Sequence, residues 1–409
     1  MTRFIICLLG ALSINSYAKN PVILLSIDGF AHKYLAQYQP KNLLSFARQG
    51  VMADGMNPVF PSKTFPNHLS IVTGMYPINH GIIHNKFYNR KLNQHYTLGA
   101  GKNNSAWLTA KPIWTIAEQQ GVTSAVYFWP ESETAINGIL PTYYFPYKHR
   151  EPNINRINQM VDWLKLPEAQ RPNLIVGYFS TIDDAGHRFG PDSKQVGAAI
   201  ENIDNLIATL RGRISSETKV TPNIIIVSDH GMTSINKQLT VNWKKLLSNF
   251  PDVNIINGQT QLYIYEQDKN ILNDARSHLS KVSNQYQFEV TDKSNYPEHW
   301  HFNINNSVLP DMIINASPGV IFIDEQSHIG AATHGYDALN NNDLSAIFLA
   351  QGPDIKENLT IQSFENIHVF SLVETLLGLT PSDKVNSDAS VLLNIINRNK
   401  FPILPNEAK

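Results

Sequence analysis

The chain has 409 residues, 42% hydrophobic and 16% charged, and its 33 Lys and Arg against 34 Asp and Glu give a formal net charge of -1. That balance excludes a disordered chain, which would be less apolar and more charged, and a polyanion-binding surface, which would carry excess positive charge. The one cysteine, Cys7, excludes an intrachain disulfide and any cysteine metal cluster, so the 14 histidines are the natural source of metal chemistry.

Residues 1–18 are expected to be a secretory signal peptide. Arg3 precedes an apolar run over 4–12, and Ser16 and Ala18 supply small residues before a cleavage point. The run is too short to span a bilayer, and no later stretch reaches about 18 consecutive apolar residues, so no transmembrane helix is expected. Export to the periplasm or beyond follows, with Cys7 lost on processing and residues 19–409 kept. A cysteine-free exported chain rests its stability on one large core rather than on disulfides.

Short apolar runs at 22–27, 124–128, 174–179, 224–227 and 346–349 are bounded by turn residues. They are apolar nearly throughout rather than alternating, which suits strands buried on both faces of a mostly parallel sheet. Amphipathic stretches at 41–49, 111–120, 155–164 and 193–214 read as helices, the last opened by Pro191. The alternation predicts an α/β domain with helices on both faces. The stretch from about 240 to 320 is polar, aromatic and Asn-rich, with candidate antiparallel strands at 261–265 and 288–291. It reads as a small inserted α+β subdomain, because the apolar strand pattern resumes after it.

Acidic residues and histidines fall at the ends of these runs. Asp28 follows 22–27, Asp183 follows 174–182, and Asp229 and His230 follow 224–228. Ligands of an open parallel sheet bind beyond the carboxyl ends of its strands. Carboxylates gathered there repel one another unless cations sit between them. Asp28-Gly29 alone could be a turn, and Asp183-Asp184-Ala185-Gly186-His187 alone could be a helix cap with a surface histidine. Ser228-Asp229-His230-Gly231-Met232 is harder to explain as packing, and Thr333-His334-Gly335 is weak by itself. Together they supply three histidines and three aspartates, a donor set that suits two zinc ions, about 3.5–4 Å apart in two-metal hydrolases. Only His187, His230 and His334 are taken as ligands; His68, His80 and His84 are expected to be structural.

The segment Phe60-Pro61-Ser62-Lys63-Thr64-Phe65-Pro66-Asn67-His68 precedes an apolar helical run. A hydroxyl at a helix N-terminus sits where backbone N–H groups favour anions, although from this segment alone a plain N-cap threonine is the preferred reading.

The ordered set Ile27-Asp28-Gly29-Phe30, Pro61 to His68, Gly81-Ile82-Ile83-His84-Asn85, Phe128-Trp129-Pro130, Asp183 to His187, Ser228 to Met232 and Thr333-His334-Gly335 resembles the nucleotide pyrophosphatase/phosphodiesterase family, in the alkaline phosphatase superfamily. The resemblance runs from about residue 21 to 379 and implies an alkaline-phosphatase-like core. It further implies that Asp28, Thr64, Asp229 and His230 hold one zinc, and that Asp183, His187 and His334 hold the other. Thr64 would be the nucleophile, passing through a phospho-threonine intermediate, with Asn85 and the Thr64 backbone N–H holding a phosphoryl oxygen.

Thr64 stands where sulfatases carry a converted Cys or Ser. No Arg is near it in sequence, Arg48 and Arg90 being closest, so a singly charged diester is favoured over a monoester. The family stacks a nucleotide base between aromatics, which points to Phe65 and to Tyr144, or to Tyr143 if the register slips by one. Lys63 would either contact a distal phosphate or be solvated. The expected substrate is a small nucleotide phosphodiester or phosphoanhydride, with no nucleic-acid scaffold as partner. The rivals are a choline or lipid-headgroup phosphodiesterase, and a non-catalytic binding protein on the same scaffold. The second is disfavoured because all seven ligand positions hold competent residues.

Overall fold

The structure, a computed structural model, describes residues 19–302 and 306–397. The signal-peptide expectation and Cys7 fall within residues 1–18 and lie outside the described residues.

An eight-stranded sheet forms the centre. Its strand order is Leu359–Ile361, Val51–Ala53, Phe348–Gln351, Asn223–Val227, Val22–Ile27, Leu174–Phe179, Ser124–Tyr127 and Tyr143–Phe145. Val22–Ile27 reads VILLSI and every residue of it is buried. Aliphatic side chains on both faces leave such a strand only the middle of a covered sheet. It pairs in parallel with Leu174–Phe179 and with Asn223–Val227, with Val22 opposite both Leu174 and Asn223. That register brings Asp28, Ser180 and Ser228 out at the same rim.

All strands run one way except Phe348–Gln351, which is antiparallel to both of its neighbours. It also begins two residues later than the apolar run at 346–349. Ala346 is already engaged, its N–H donating to Met56 O at 2.8 Å. Ser124–Tyr127 stops before Phe128, which takes a left-handed φ of 64°.

Helices cover both faces. Lys41–Arg48, Asn153–Lys165, Thr181–Phe189 and Lys194–Glu217 pack together, and Thr64–Thr73, Ile113–Gln119 and His368–Leu377 form a second group. Lys194–Glu217 is opened by Ser193, whose Oγ accepts the Val196 N–H at 3.2 Å, and not by Pro191. The Pro191 carbonyl is used elsewhere, accepting from the Tyr38 hydroxyl at 2.7 Å.

A second sheet, antiparallel, joins Asn254–Asn257, Gln261–Tyr265, Met312–Ala316 and Phe288–Asp292 in that order. The helix Lys269–Tyr286 packs on it. Alternation divides Gln261–Tyr265 between two cores. Tyr263 and Tyr265 face the main core, while Leu262 and Ile264 join Leu279, Met312 and Ile314 in a separate cluster.

Candidate active site

Five segments deliver the polar groups to the rim. Asp28 directly follows Val22–Ile27, and Asp229 and His230 follow Asn223–Val227 after the single intervening residue Ser228. The neighbouring strand ends at Phe179, earlier than the run 174–182 suggests, and Asp183 lies in the first turn of the helix Thr181–Phe189. His187 is one turn further along, so carboxylate and imidazole share a face. Gly29, at φ 71°, lets the Asp183 backbone approach; a Cβ there would lie 2.9 Å from Asp183 Cα. His334 follows the short strand Ala332–Thr333, which pairs with Thr233–Ser234 just beyond His230. Thr64 opens the helix Thr64–Thr73, where its backbone N–H has no intrahelical acceptor.

The ligand atoms converge. Those of Asp28, Asp229 and His230 lie within 4.8 Å of one another, and so do those of Asp183, His230 and His334. His230 Nε2 is 2.9 Å from Asp229 Oδ2, 3.6 Å from Asp28 Oδ1 and 3.3 Å from Thr64 Oγ1. Asp183 Oδ1 is 3.4 Å from His187 Nε2 and 3.7 Å from His334 Nε2. His230 thus belongs to both groups, and His187 joins through Asp183.

Two observations bear on whether these residues fit metal ions. Asp28 Oδ1, Asp183 Oδ1 and Asp229 Oδ2 are buried and accept no hydrogen bond. An oxygen in that state is costly unless something cationic faces it. The three imidazoles also share one arrangement. Nδ1 of His187, His230 and His334 meets the carbonyl of Ala332, Gly231 and Ser62 at 2.9, 2.9 and 2.8 Å. A carbonyl can only accept, so each Nδ1 carries the hydrogen and each Nε2 presents its lone pair, the usual state of a metal-ligating histidine. The site fits divalent ions with a preference for nitrogen and carboxylate oxygen.

Electrostatics agree with the crowding. Burial raises Asp28 well above the usual carboxylate range, and Asp229 and Asp183 add to it. Burial also acts to raise Asp229, but His230 and His68 outweigh it and hold Asp229 well below that range. Burial acts to lower His230, but Asp229, Asp183 and the Gly231 carbonyl together outweigh it and raise the imidazole. Burial, then His230, Lys63 and His187, push His334 well down, which keeps its Nε2 unprotonated.

Two further side chains buttress this cluster: Tyr178, which has no sequence assignment, and His68, expected to be structural. Tyr178 donates to Asp28 Oδ2 at 2.6 Å. His68 faces the Thr64 carbonyl at 2.9 Å and Asp229 Oδ2 at 3.3 Å through Nδ1, and Ser26 Oγ at 2.8 Å through Nε2. Its spacing of four residues from Thr64 on one helix was the available signal. Tyr178 lies inside an apolar strand and offers none.

Beside the ligands opens a cavity of about 420 Å³, lined among others by Thr64, Phe65, Asn85, Lys102, Phe128 and Tyr147. Asn85 Oδ1 accepts the Phe65 N–H at 3.1 Å, which leaves its Nδ2 donors for a ligand. Phe65 lines the cavity, but Tyr144 does not. Tyr144 lies on the edge strand Tyr143–Phe145, over a separate groove shared with Trp163. Tyr143 is there too, its hydroxyl donating to Gln170 O at 3.1 Å. Tyr147, just beyond that strand, is the aromatic that reaches the cavity, and its N–H donates to Glu133 Oε1 at 3.0 Å.

Lys63 is neither solvated nor placed for a distal phosphate. It is buried and its Nζ donates to His334 O at 2.7 Å, and burial lowers its ammonium to about 7. Lys102 is the lysine that lines the cavity, 2.5 Å from Glu133 Oε2.

A mostly parallel α/β sheet with helices on both faces, and carboxylates and imidazoles gathered at one rim, defines the alkaline-phosphatase-like class. Residues 22–337 match the family model described as Type I phosphodiesterase / nucleotide pyrophosphatase, and the chain belongs to that family. It is 34% identical over 392 residues to ectonucleotide pyrophosphatase/phosphodiesterase family member 1 of Rattus norvegicus, covering 91% of this chain and 42% of that protein. It is 33% identical over 399 residues to the venom phosphodiesterase of Naja atra, covering 94% of this chain and 47% of the other. The chain thus spans less than half the length of these relatives. Among solved structures it is similar to murine ectonucleotide pyrophosphatase/phosphodiesterase 5, an inactive variant in complex with AMP, with a TM-score of 0.86, 26% identity, and coverage of 92% of this chain and 100% of that one.

Proposed function

We propose that the chain hydrolyses phosphodiester and phosphoanhydride bonds of nucleotides, releasing nucleoside 5′-monophosphates through a phospho-Thr64 intermediate. The observation that carries this is the set of three buried, unpartnered carboxylate oxygens facing three imidazoles with Nδ1 occupied. Asp28, Thr64, Asp229 and His230 would hold one zinc, and Asp183, His187 and His334 the other. Two such ions, when bound, lower the pKa of a coordinated hydroxyl and neutralise charge on phosphoryl oxygens.

The chain's own groups do the rest. Thr64 Oγ1 attacks phosphorus in line, the bond to the leaving oxygen breaks, and water then cleaves the phospho-threonine, regenerating Thr64. Asn85 Nδ2 and the Thr64 backbone N–H hold a non-bridging oxygen at the helix N-terminus. Phe65 and Tyr147 offer aromatic faces to the base, each stack contributing about 1–3 kcal/mol. Lys102 is placed for the charged leaving portion. Among the described residues no arginine lines the cavity, which favours a diester over the more highly charged monoester.

A choline phosphodiester would need an acidic or aromatic cage for its ammonium, and the acidic part of such a cage is not free here. Glu131 and Glu133 line the cavity, but both are engaged, Glu131 with the Tyr96 and Thr134 hydroxyls and Glu133 with Lys102 and the Tyr147 N–H. The murine relative solved with AMP also supports a nucleotide. We read residues 1–18 as an export signal that takes this activity to the periplasm or beyond.

The test is a panel of phosphodiesters assayed after chelation and zinc restoration. A nucleoside 5′-monophosphate nitrophenyl ester should be the preferred substrate. Strong preference for a phosphocholine ester would sink the nucleotide reading.

A further inference from the structure

The second sheet ends in a tight turn over Gly258 to Gln261, between Asn254–Asn257 and Gln261–Tyr265. The turn is fixed from within, Gly258 N–H donating to Gln261 O at 2.8 Å, and Gln259 takes a left-handed φ of 74°. Its side chains reach the segment that carries His334. Gln261 is fully buried, and its Nε2 donates to Gly335 O and to Asn315 Oδ1, both at 2.7 Å. Gln259 Oε1 accepts from Thr333 Oγ1 at 2.9 Å. The residues on either side of His334 are therefore both tied to this turn.

The nucleophile loop holds the same segment. Ser62 O receives His334 Nδ1–H, Ser62 Oγ accepts the Gly335 N–H at 2.9 Å, and Lys63 Nζ donates to His334 O at 2.7 Å. Gly335, at φ 111°, is where the three segments meet, and a Cβ there would collide with Lys63 Cε and Thr260 Oγ1. His334 is thus clamped between the nucleophile loop and the turn of the second sheet.

We infer that the turn of the second sheet, through Gln259 and Gln261, positions His334 as a metal ligand, so that this layer sets the affinity of the ion that His334 holds. The inference rests on the two-metal reading above. Gln259 and Gln261 act on His334 through its neighbours, the Thr333 hydroxyl and the Gly335 carbonyl. Removing the Gln261 amide leaves the buried carbonyl of Gly335 without its side-chain donor and frees the segment to shift. Loss of such outer partners typically weakens metal binding by about 10–100-fold.

The full chain, loaded with zinc, is equilibrated against buffers of graded free zinc and its bound zinc counted. Wild type should hold two ions per chain. Gln261→Met should lose one of them at free zinc about 10–100-fold higher than wild type does. Gln259→Gly, which glycine's freedom at φ 74° accommodates, should shift in the same direction and decides the matter if Gln261→Met does not fold. Leu279→Ala opens a cavity in the second core without touching the turn, and should lower the melting temperature while releasing zinc as wild type does. Wild-type release curves for the two glutamine variants, or an equal shift in Leu279→Ala, would overturn the inference. A wild-type chain that binds no zinc would overturn the two-metal reading and the inference with it.

Discussion

The Tyr178 hydroxyl donates to one oxygen of Asp28 at 2.6 Å and leaves the other oxygen of that fully buried carboxylate without a partner. The tyrosine thereby orients Asp28, turning Oδ1 towards His230 Nε2. Tyr178→Phe keeps the ring and removes the donor. Zinc affinity should fall by about 10–100-fold, as for other outer partners of metal ligands. Competition with a chromogenic chelator measures it, and unchanged affinity would remove Tyr178 from the site.

Thr64→Ala should abolish turnover and leave zinc in place. Six protein ligands remain, and the helix still begins at residue 64, so the site keeps its shape. Metal counting and initial rates on the nucleoside ester, on one preparation, separate the two effects. A variant that keeps most of its rate would exclude Thr64 as nucleophile, and less than one zinc per chain together with an unchanged background rate would return the binding-protein reading.

The aromatic assignment makes opposite predictions for two neighbouring tyrosines. Tyr147→Ala should raise KM for the nucleoside ester by roughly 5–150-fold, the equivalent of about 1–3 kcal/mol of stacking. Tyr144→Ala should leave KM unchanged, because its groove is separate from the cavity. Steady-state kinetics on both variants check it, and the reverse ranking would restore Tyr144.

Stability should fall as the medium is acidified from about pH 6.5. His80 is buried in its neutral form, with Ile82 N–H donating to Nδ1 at 3.3 Å and Nε2–H facing Pro66 O at 3.1 Å. Burial lowers its pKa from 6.5 to about 3. The unfolded chain takes up a proton near pH 6.5 while the folded chain resists until about pH 3, so the unfolded state binds more protons throughout that window. The stabilisation is full above the window and declines through it, by about 2 kcal/mol between pH 6.5 and 5. Denaturant titrations should show the midpoint of wild type dropping more than that of His80→Gln over this range. Parallel pH dependences would show that His80 is not responsible.

The gathering of these aspartates and histidines at one rim was legible in the sequence because its signals are local. Asp28, Asp229 and His230 stand directly after runs too apolar to be anything but buried strands, and a strand's end fixes which rim its next residue occupies. Asp183 and His187 are one helical turn apart, and Thr64 precedes a helical run. Residue type, order and spacing are enough to gather such groups. The antiparallel course of Phe348–Gln351 was not legible, since a buried run looks the same in either direction. Nor was the choice of Tyr147 over Tyr144. Strand alternation and the path of the loop after Phe145 decide which ring faces the cavity, and neither is written in nearby residues. Lys63 shows the same limit. Beside a nucleophile a lysine reads as a phosphate contact, but the second sheet and the His334 segment close over it and turn its ammonium to a backbone carbonyl. The sequence by itself determined which side chains meet at the rim and what chemistry they suit. Tertiary structure alone decided which neighbours orient them and which walls enclose the substrate, because those contacts join segments distant in the chain.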